Sequence, residues 1–179
     1  MRSAKLFHLP LFFMVSLFSH NSLAQQPSET TETYGSWTYR CSQVAQQNDA
    51  NSAAKRACEL LQVIRDSKGN VIAQIAFGNS LEDNNNLISV VQVPQGMLLS
   101  EPIVLADEVQ KNKVAAPYFS CFNNICLARA NVSRDVLSAL GDSNKGSLEF
   151  VDRTGRKIKV LLSFEGLKTA SERLVSTSG

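Results

Sequence analysis

The chain has 179 residues, with 18 Lys+Arg against 16 Asp+Glu, four cysteines and two histidines. A formal charge of +2 is too small for a domain built to hold nucleic acid. No stretch approaches the 18 or more consecutive apolar residues of a spanning helix, so the exported chain is expected to be soluble or peripheral.

The first 24 residues read as a cleaved secretory signal: Arg2 and Lys5, an apolar run from Leu6 to Phe18, then Ser22-Leu23-Ala24. Ser22 and Ala24 supply the small-x-small pattern that precedes a cleavage site. The apolar run includes His8 and Pro10 and is too short to span a bilayer. Cleavage removes Arg2 and Lys5 and leaves 16 basic residues against 16 acidic ones, a formal charge of zero. It also removes His8 and His20, the only histidines, and with them Ser-His-Asp and Cys-His catalysis and His-ligated zinc. Taking 24 from 179 leaves 155 residues, enough for one domain with its own core.

Residues 25–33 are polar and read as a flexible leader; residues 34–175 read as one domain and 176–179 as a disordered tail. Tyr34 to Cys41 alternates, with Trp37, Tyr39 and Cys41 on one side, as in a strand. Ser42 to Ala57 reads as a polar loop. Cys58 to Arg65, the turn Asp66-Ser67-Lys68-Gly69-Asn70 and Val71 to Phe77 form a hairpin. Gly78 to Asn86 is a turn, and Leu87 to Val93 is a strand ending at Pro94-Gln95-Gly96. Met97 to Leu105 is broken by Pro102 and is expected to be an edge strand or irregular. Pro117 to Cys121 and Cys126 to Ala130 flank a tight turn at Asn123-Asn124. Ser133 is an N-cap for a short helix carrying Val136, Leu137 and Leu140. Ser147 to Val151 and Lys157 to Phe164 form the last hairpin around Asp152 to Gly155, and Gly166 to Val175 suits a terminal helix. Eight or nine short strands with two short helices predict an antiparallel β-sandwich or barrel.

An exported chain with four cysteines is expected to hold two disulfides, of three possible pairings. Nearness in sequence favours Cys41–Cys58 and Cys121–Cys126 as structural staples. Closing the loop of the first contributes about 3 kcal/mol on the chain-entropy model. A redox role is the alternative, but the second pair has C-x4-C spacing, with no flanking Lys, Arg or His to lower a thiol pKa.

No phosphate-binding loop, dinucleotide fingerprint, nucleophile elbow or calcium loop is present. Glu82-Asp83 and Asp107-Glu108 are read as solvated loop charges, because adjacent strand residues point to opposite faces. No catalytic residue, metal or cofactor is expected. Arg153, Arg156, Lys157 and Lys159 form a basic cluster around a hairpin turn. It is either a patch for an anionic partner or a charged edge, diluted by Glu149 and Asp152, that discourages sheet aggregation. Trp37 is expected in the core rather than at a ligand site.

The ordered set Gly35-Ser36-Trp37-Thr38-Tyr39-Arg40-Cys41, then Cys58-Glu59-Leu60-Leu61-Gln62, resembles the invasion-associated locus B family. Such proteins open with G-x-W-x-x-x-C followed by C-x-(hydrophobic)-x-Q. Pro117-Tyr118-Phe119-Ser120-Cys121, the Ile125-Cys126-Leu127-Ala128 segment and Ile158 to Leu167 are similar to later family motifs, with Ile125 in place of the usual Gly. The likeness covers about Gly35 to Leu174. It implies a Gram-negative envelope protein with an immunoglobulin-like antiparallel β-sandwich and a link to host-cell invasion; it supplies no catalytic residues. The expected protein is therefore an exported, non-enzymatic binding protein of the periplasm or outer surface. Its partner would be a protein or envelope component, the host surface in a pathogen, with peripheral membrane association compatible. An envelope chaperone that pairs through a sheet edge is the alternative. A carboxylate hydrolase is a third, less favoured class.

Overall fold

Period-two alternation dominates the described chain and folds it into eleven strands and two short helices. The structure is a computed structural model, and it describes residues 29–44, 55–80 and 87–176. The expected signal, residues 25–28, Glu82-Asp83, the run 45–54 and residues 177–179 lie outside the described residues.

The strands are β1 (Glu29–Tyr34), β2 (Trp37–Val44), β3 (Lys55–Arg65), β4 (Val71–Asn79), β5 (Leu87–Pro94), β6 (Ile103–Asp107), β7 (Lys113–Ala116), β8 (Tyr118–Phe122), β9 (Ile125–Val132), β10 (Lys145–Val151) and β11 (Lys157–Ser163). The helices are α1 (Arg134–Gly141) and α2 (Leu167–Ser176). A seven-stranded sheet has the order β1-β2-β3-β4-β5-β9-β8, and a four-stranded sheet the order β11-β10-β6-β7. Every strand pairing is antiparallel. This is the expected β-sandwich. Its core lies between the sheets: Tyr39, Leu60, Ile75, Phe77 and Val91 from the larger one, Ile103, Leu105, Leu148, Val160 and Leu162 from the smaller.

Three expectations are corrected. Ser42 to Ala57, read as a polar loop, has Ser42 to Val44 in β2 paired with Lys55 to Ala57 in β3. Residues 29–33, read as part of a flexible leader, belong to β1, which pairs with β2 from Glu29↔Ser42 to Tyr34↔Trp37. Three threonines suit a strand, and the ladder with β2 satisfies backbone groups that a polar composition says nothing about. Of the two readings of Met97 to Leu105, the irregular one holds as far as Pro102 and the edge strand does not: β6 begins after the proline, at Ile103, and lies between β10 and β7. Pro102 sits before the ladder, so its missing N–H costs no interstrand hydrogen bond.

Both disulfides join the expected cysteines, and in each the partners sit directly opposite on adjacent strands. Cys41 faces Cys58 across β2 and β3, and Cys121 faces Cys126 across β8 and β9, with Cα atoms 4.0 and 4.1 Å apart. Asn123 and Asn124 between the second pair take φ of 46° and 65°, the positive values a two-residue hairpin needs. Ser133 caps α1, its hydroxyl accepting from the Val136 N–H at 3.2 Å. Leu137 and Leu140 of α1, with Leu167, Ala170 and Leu174 of α2, bury against the core. No helix among the described residues is long and apolar enough to cross a membrane.

The first hairpin and the C-terminal segment meet backbone to backbone. Gly35 and Gly166 have φ of 56° and 83°. A Cβ on Gly166 would lie 2.1 Å from the Tyr34 carbonyl oxygen, and one on Gly35 2.5 Å from the Glu165 carbonyl oxygen. The Ser36 N–H donates to Glu165 O at 3.0 Å. The Trp37 indole N–H and the Gln62 amide donate to the Ser163 carbonyl at 3.1 and 2.8 Å. Gly155 has nearly the same φ as Gly166, 82°, but open space around it. Gly155→Ala should therefore cost about 1 kcal/mol, the left-handed penalty alone. Gly166→Ala should cost at least about 2 kcal/mol more, because the backbone must also move apart. Urea unfolding of the two variants measures the difference; equal losses would show that the close approach contributes nothing.

Candidate functional site

Asp107 and Asp152 are carboxylates occupied with structure. Asp107, expected to be solvated, is buried. It accepts from the backbone N–H groups of Lys111 and Asn112 at 2.8 and 3.0 Å and from the Asn112 side chain at 2.7 Å. Burial pushes its pKa up, but these donors outweigh that and hold the carboxyl below its ordinary range. The correction has a simple cause: the turn after β6 needs an acceptor for its inward-facing N–H groups. Asp152 does the same for the β10–β11 turn, accepting from the Thr154 hydroxyl at 2.6 Å, the Thr154 and Arg156 N–H groups at 2.9 and 3.0 Å, and Arg156 Nε at 2.9 Å. The Thr154 hydroxyl is the largest of the contributions that keep its carboxyl far below the usual range. Neither acid is free to exchange a proton near neutral pH. Among the described residues no cluster of three or more His, Cys, Asp or Glu is placed to hold a metal ion.

The basic cluster is divided by its own neighbours. Arg156 pairs with Asp152 at 2.8 Å, and Lys159 pairs across the hairpin with Glu149 at 3.1 Å. Arg153 and Lys157 are exposed and make no ion pair among the described residues. Trp37 is wholly buried, its ring centroid 5.5 Å from that of Phe77, so it is a core residue and no ligand anchor.

What sequence reading did not single out is the outward face of the larger sheet. The register aligns Ile88 with Asn131, Val90 with Arg129, Gln92 with Leu127 and Pro94 with Ile125 across β5 and β9. Ala76 of β4 pairs with Val90, and Phe122 of β8 with Ile125. The opposite parity carries buried Leu87, Val91, Val93, Cys126 and Ala128, so these named pairs point away from the core. The ladder slips between Tyr118 and Ser120, an irregularity that turns Phe119 toward Arg129, whose guanidinium lies 5.3 Å from the ring centroid. Phe119 and Phe122 are 53% and 47% exposed. The result is an aliphatic and aromatic surface in which Arg129 is the one charge on β5, β8 and β9. The signal was present in Leu87 to Val93 and Ile125 to Leu127, which are apolar at both parities although one face suffices for a core.

A second unforeseen group ties the two ends of the domain. Glu32 of β1 accepts from Arg173 of α2, Nη2 at 2.9 Å and Nε at 3.1 Å, and from the Tyr34 hydroxyl at 2.5 Å. Arg173 also lies over the Tyr39 ring, 5.1 Å from its centroid. The Arg173 hydrogen bonds, then that of Tyr34, hold the Glu32 carboxyl down to about 2 from 4.5.

The model of the family described as invasion associated locus B protein matches residues 37–175. The crystal structure of invasion associated protein B from Bartonella henselae superposes with a TM-score of 0.68 at 19% identity, over 82% of this chain and 95% of that one. At that identity the likeness is one of fold. No curated protein matches this chain.

The depressed Glu32 gives a signed pH dependence. A carboxylate with a lowered folded pKa stabilises above its unfolded value, and that contribution is lost as pH falls through the folded one. Glu32→Gln should therefore lower Tm at neutral pH, and the gap from wild type should close as pH falls from about 4.5 to about 2. Thermal melts at stepped pH test this; a gap that stays constant would remove the ion pair from the account.

Proposed function

The chain belongs to the invasion-associated locus B family, and from that premise we propose that it is a non-enzymatic binding protein of the bacterial envelope. It engages its partner through the outward face of β5, β9 and β8. One observation carries the reading. Two large aromatic rings stand half out of water beside a row of aliphatic side chains, on a sheet whose other face already closes the core. Contiguous exposed apolar surface of this kind is characteristic of interaction sites, and interface centres are rich in aromatic residues and arginine.

Two disulfides and the family support export to an oxidising compartment. The periplasm or the outer surface is the proposed location, with a role in host-cell invasion or adhesion where the organism is a pathogen. The hydrogen-bonded state of Asp107 and Asp152 speaks against an acid–base mechanism on either. Pairing through a sheet edge, the chaperone reading, is weakened at two of the four edges. β11 carries Lys157 and Lys159, charges that discourage strand addition, and β8 is short and irregular.

A photo-crosslinking residue at Phe119 should trap a partner from envelope extract or on host cells, whereas one at the more exposed Leu161 of β11 should not. Phe119→Ser should lower capture about tenfold or more, a hot-spot loss, with Tm close to wild type because the ring is half exposed. Adducts at Leu161 and none at Phe119 would instead favour the sheet edge.

A further inference from the structure

Three chain segments meet at one end of the sandwich: the loop following β5, the tip of the β8–β9 hairpin, and the β10–β11 turn. Backbone hydrogen bonds join them. Gln95 N–H donates to Asn124 O at 3.0 Å, Leu98 N–H to Val151 O at 2.8 Å, and Arg153 N–H to Gly96 O at 2.9 Å. Met97 forms an isolated bridge with Asp152. The loop is therefore held on both sides.

Its side chains are unusual for a loop in water. Leu99, in a turn closed by Glu101 N–H donating to Leu98 O at 3.2 Å, is 54% exposed; Leu98 is 36% exposed and Phe122, beside the joined hairpin tip, 47%. The charges in these segments are Arg153, Arg156 and Lys157 against Asp152 and Glu101. Asp152 is taken up by Arg156 and the turn. Arg153, whose N–H bonds the loop at Gly96, is exposed, as is Lys157 at the start of β11, and Glu101 is the one exposed carboxylate in these segments.

We propose that this end of the molecule docks peripherally on an anionic lipid bilayer. Leu98, Leu99 and Phe122 enter the boundary between headgroups and acyl chains, and Arg153 and Lys157 meet the headgroup phosphates. Apolar side chains flanked by unpaired cations are the chemistry that recognises such a surface. The stitched loops are already ordered, so docking loses little conformational freedom. The surface is distinct from the outward sheet face of the proposed partner site, apart from Phe122, which borders both.

The test is co-sedimentation of the exported protein, purified from the periplasmic fraction, with vesicles of phosphatidylcholine alone or with one-third phosphatidylglycerol. Binding should require phosphatidylglycerol and weaken as sodium chloride is raised. Leu99→Ser, Arg153→Glu and Lys157→Glu should each lower the bound fraction about fivefold while circular dichroism stays unchanged. Phe119→Ser should leave vesicle binding intact, which separates this proposal from the partner site. No binding to anionic vesicles, or equal binding of wild type and all three variants, would overturn it. So would charge-reversal variants that lose a protein partner but keep their hold on vesicles, an outcome that would assign the loops to an acidic protein surface.

Discussion

The junction of the first hairpin with the segment after β11 is the constraint on which the rest of the domain depends. One carbonyl, that of Ser163, receives both the Trp37 indole and the Gln62 amide, and the chain then passes Tyr34 and Gly35 too closely for any side chain at Gly166. The Trp37 bond spans 126 residues of sequence, so its formation closes almost the whole domain. Loop-closure entropy rises slowly with length but must be met before the contact returns anything. A buried indole, a buried glutamine and a backbone hydrogen bond acting together supply that return.

Once the junction is closed, other contacts follow geometrically. α2 begins immediately after Gly166 and lies against β1, β2 and β3, which brings Arg173 to Glu32 and to the Tyr39 ring. That ion pair holds β1, whose only ladder partner among the described strands is β2. Gly141 at the end of α1 packs against the Lys168 backbone, so the two helices are fitted to each other by the same placement. Glycines, tryptophan and cysteines thus serve closure and stapling.

Those residues say little about what the protein touches. The proposed interaction surfaces are made of side chains that the closure does not need: Phe119, Phe122 and Arg129 on the outward face, Leu98 and Leu99 on the joined loops. Such positions are free to vary while the sandwich stays intact. Members of one fold family can therefore present different partners with different surfaces, and function has to be argued from the face rather than from the fold.

Local chemistry was legible in the sequence. Alternation marked most strands, Ser133 marked the start of α1, and paired nearness marked both disulfides, because each of these depends on residues close along the chain. The dilution of Arg153, Arg156, Lys157 and Lys159 by Asp152 and Glu149 was legible for the same reason, since a hairpin turn brings them together. The strand character of residues 29–33, the interior place of β6, the burial of Asp107 and the Glu32–Arg173 pair were decided only in three dimensions. Each depends on a neighbour far away in sequence or on the ordering of strands, which no local pattern encodes. The outward apolar face lies between these cases. Its residues are visible as runs apolar at both parities, but parity alone names two faces without saying which one the second sheet covers. That choice fell to the sheet packing, which buried Val91, Val93 and Ala128 and left Val90, Leu127 and Phe122 facing outward.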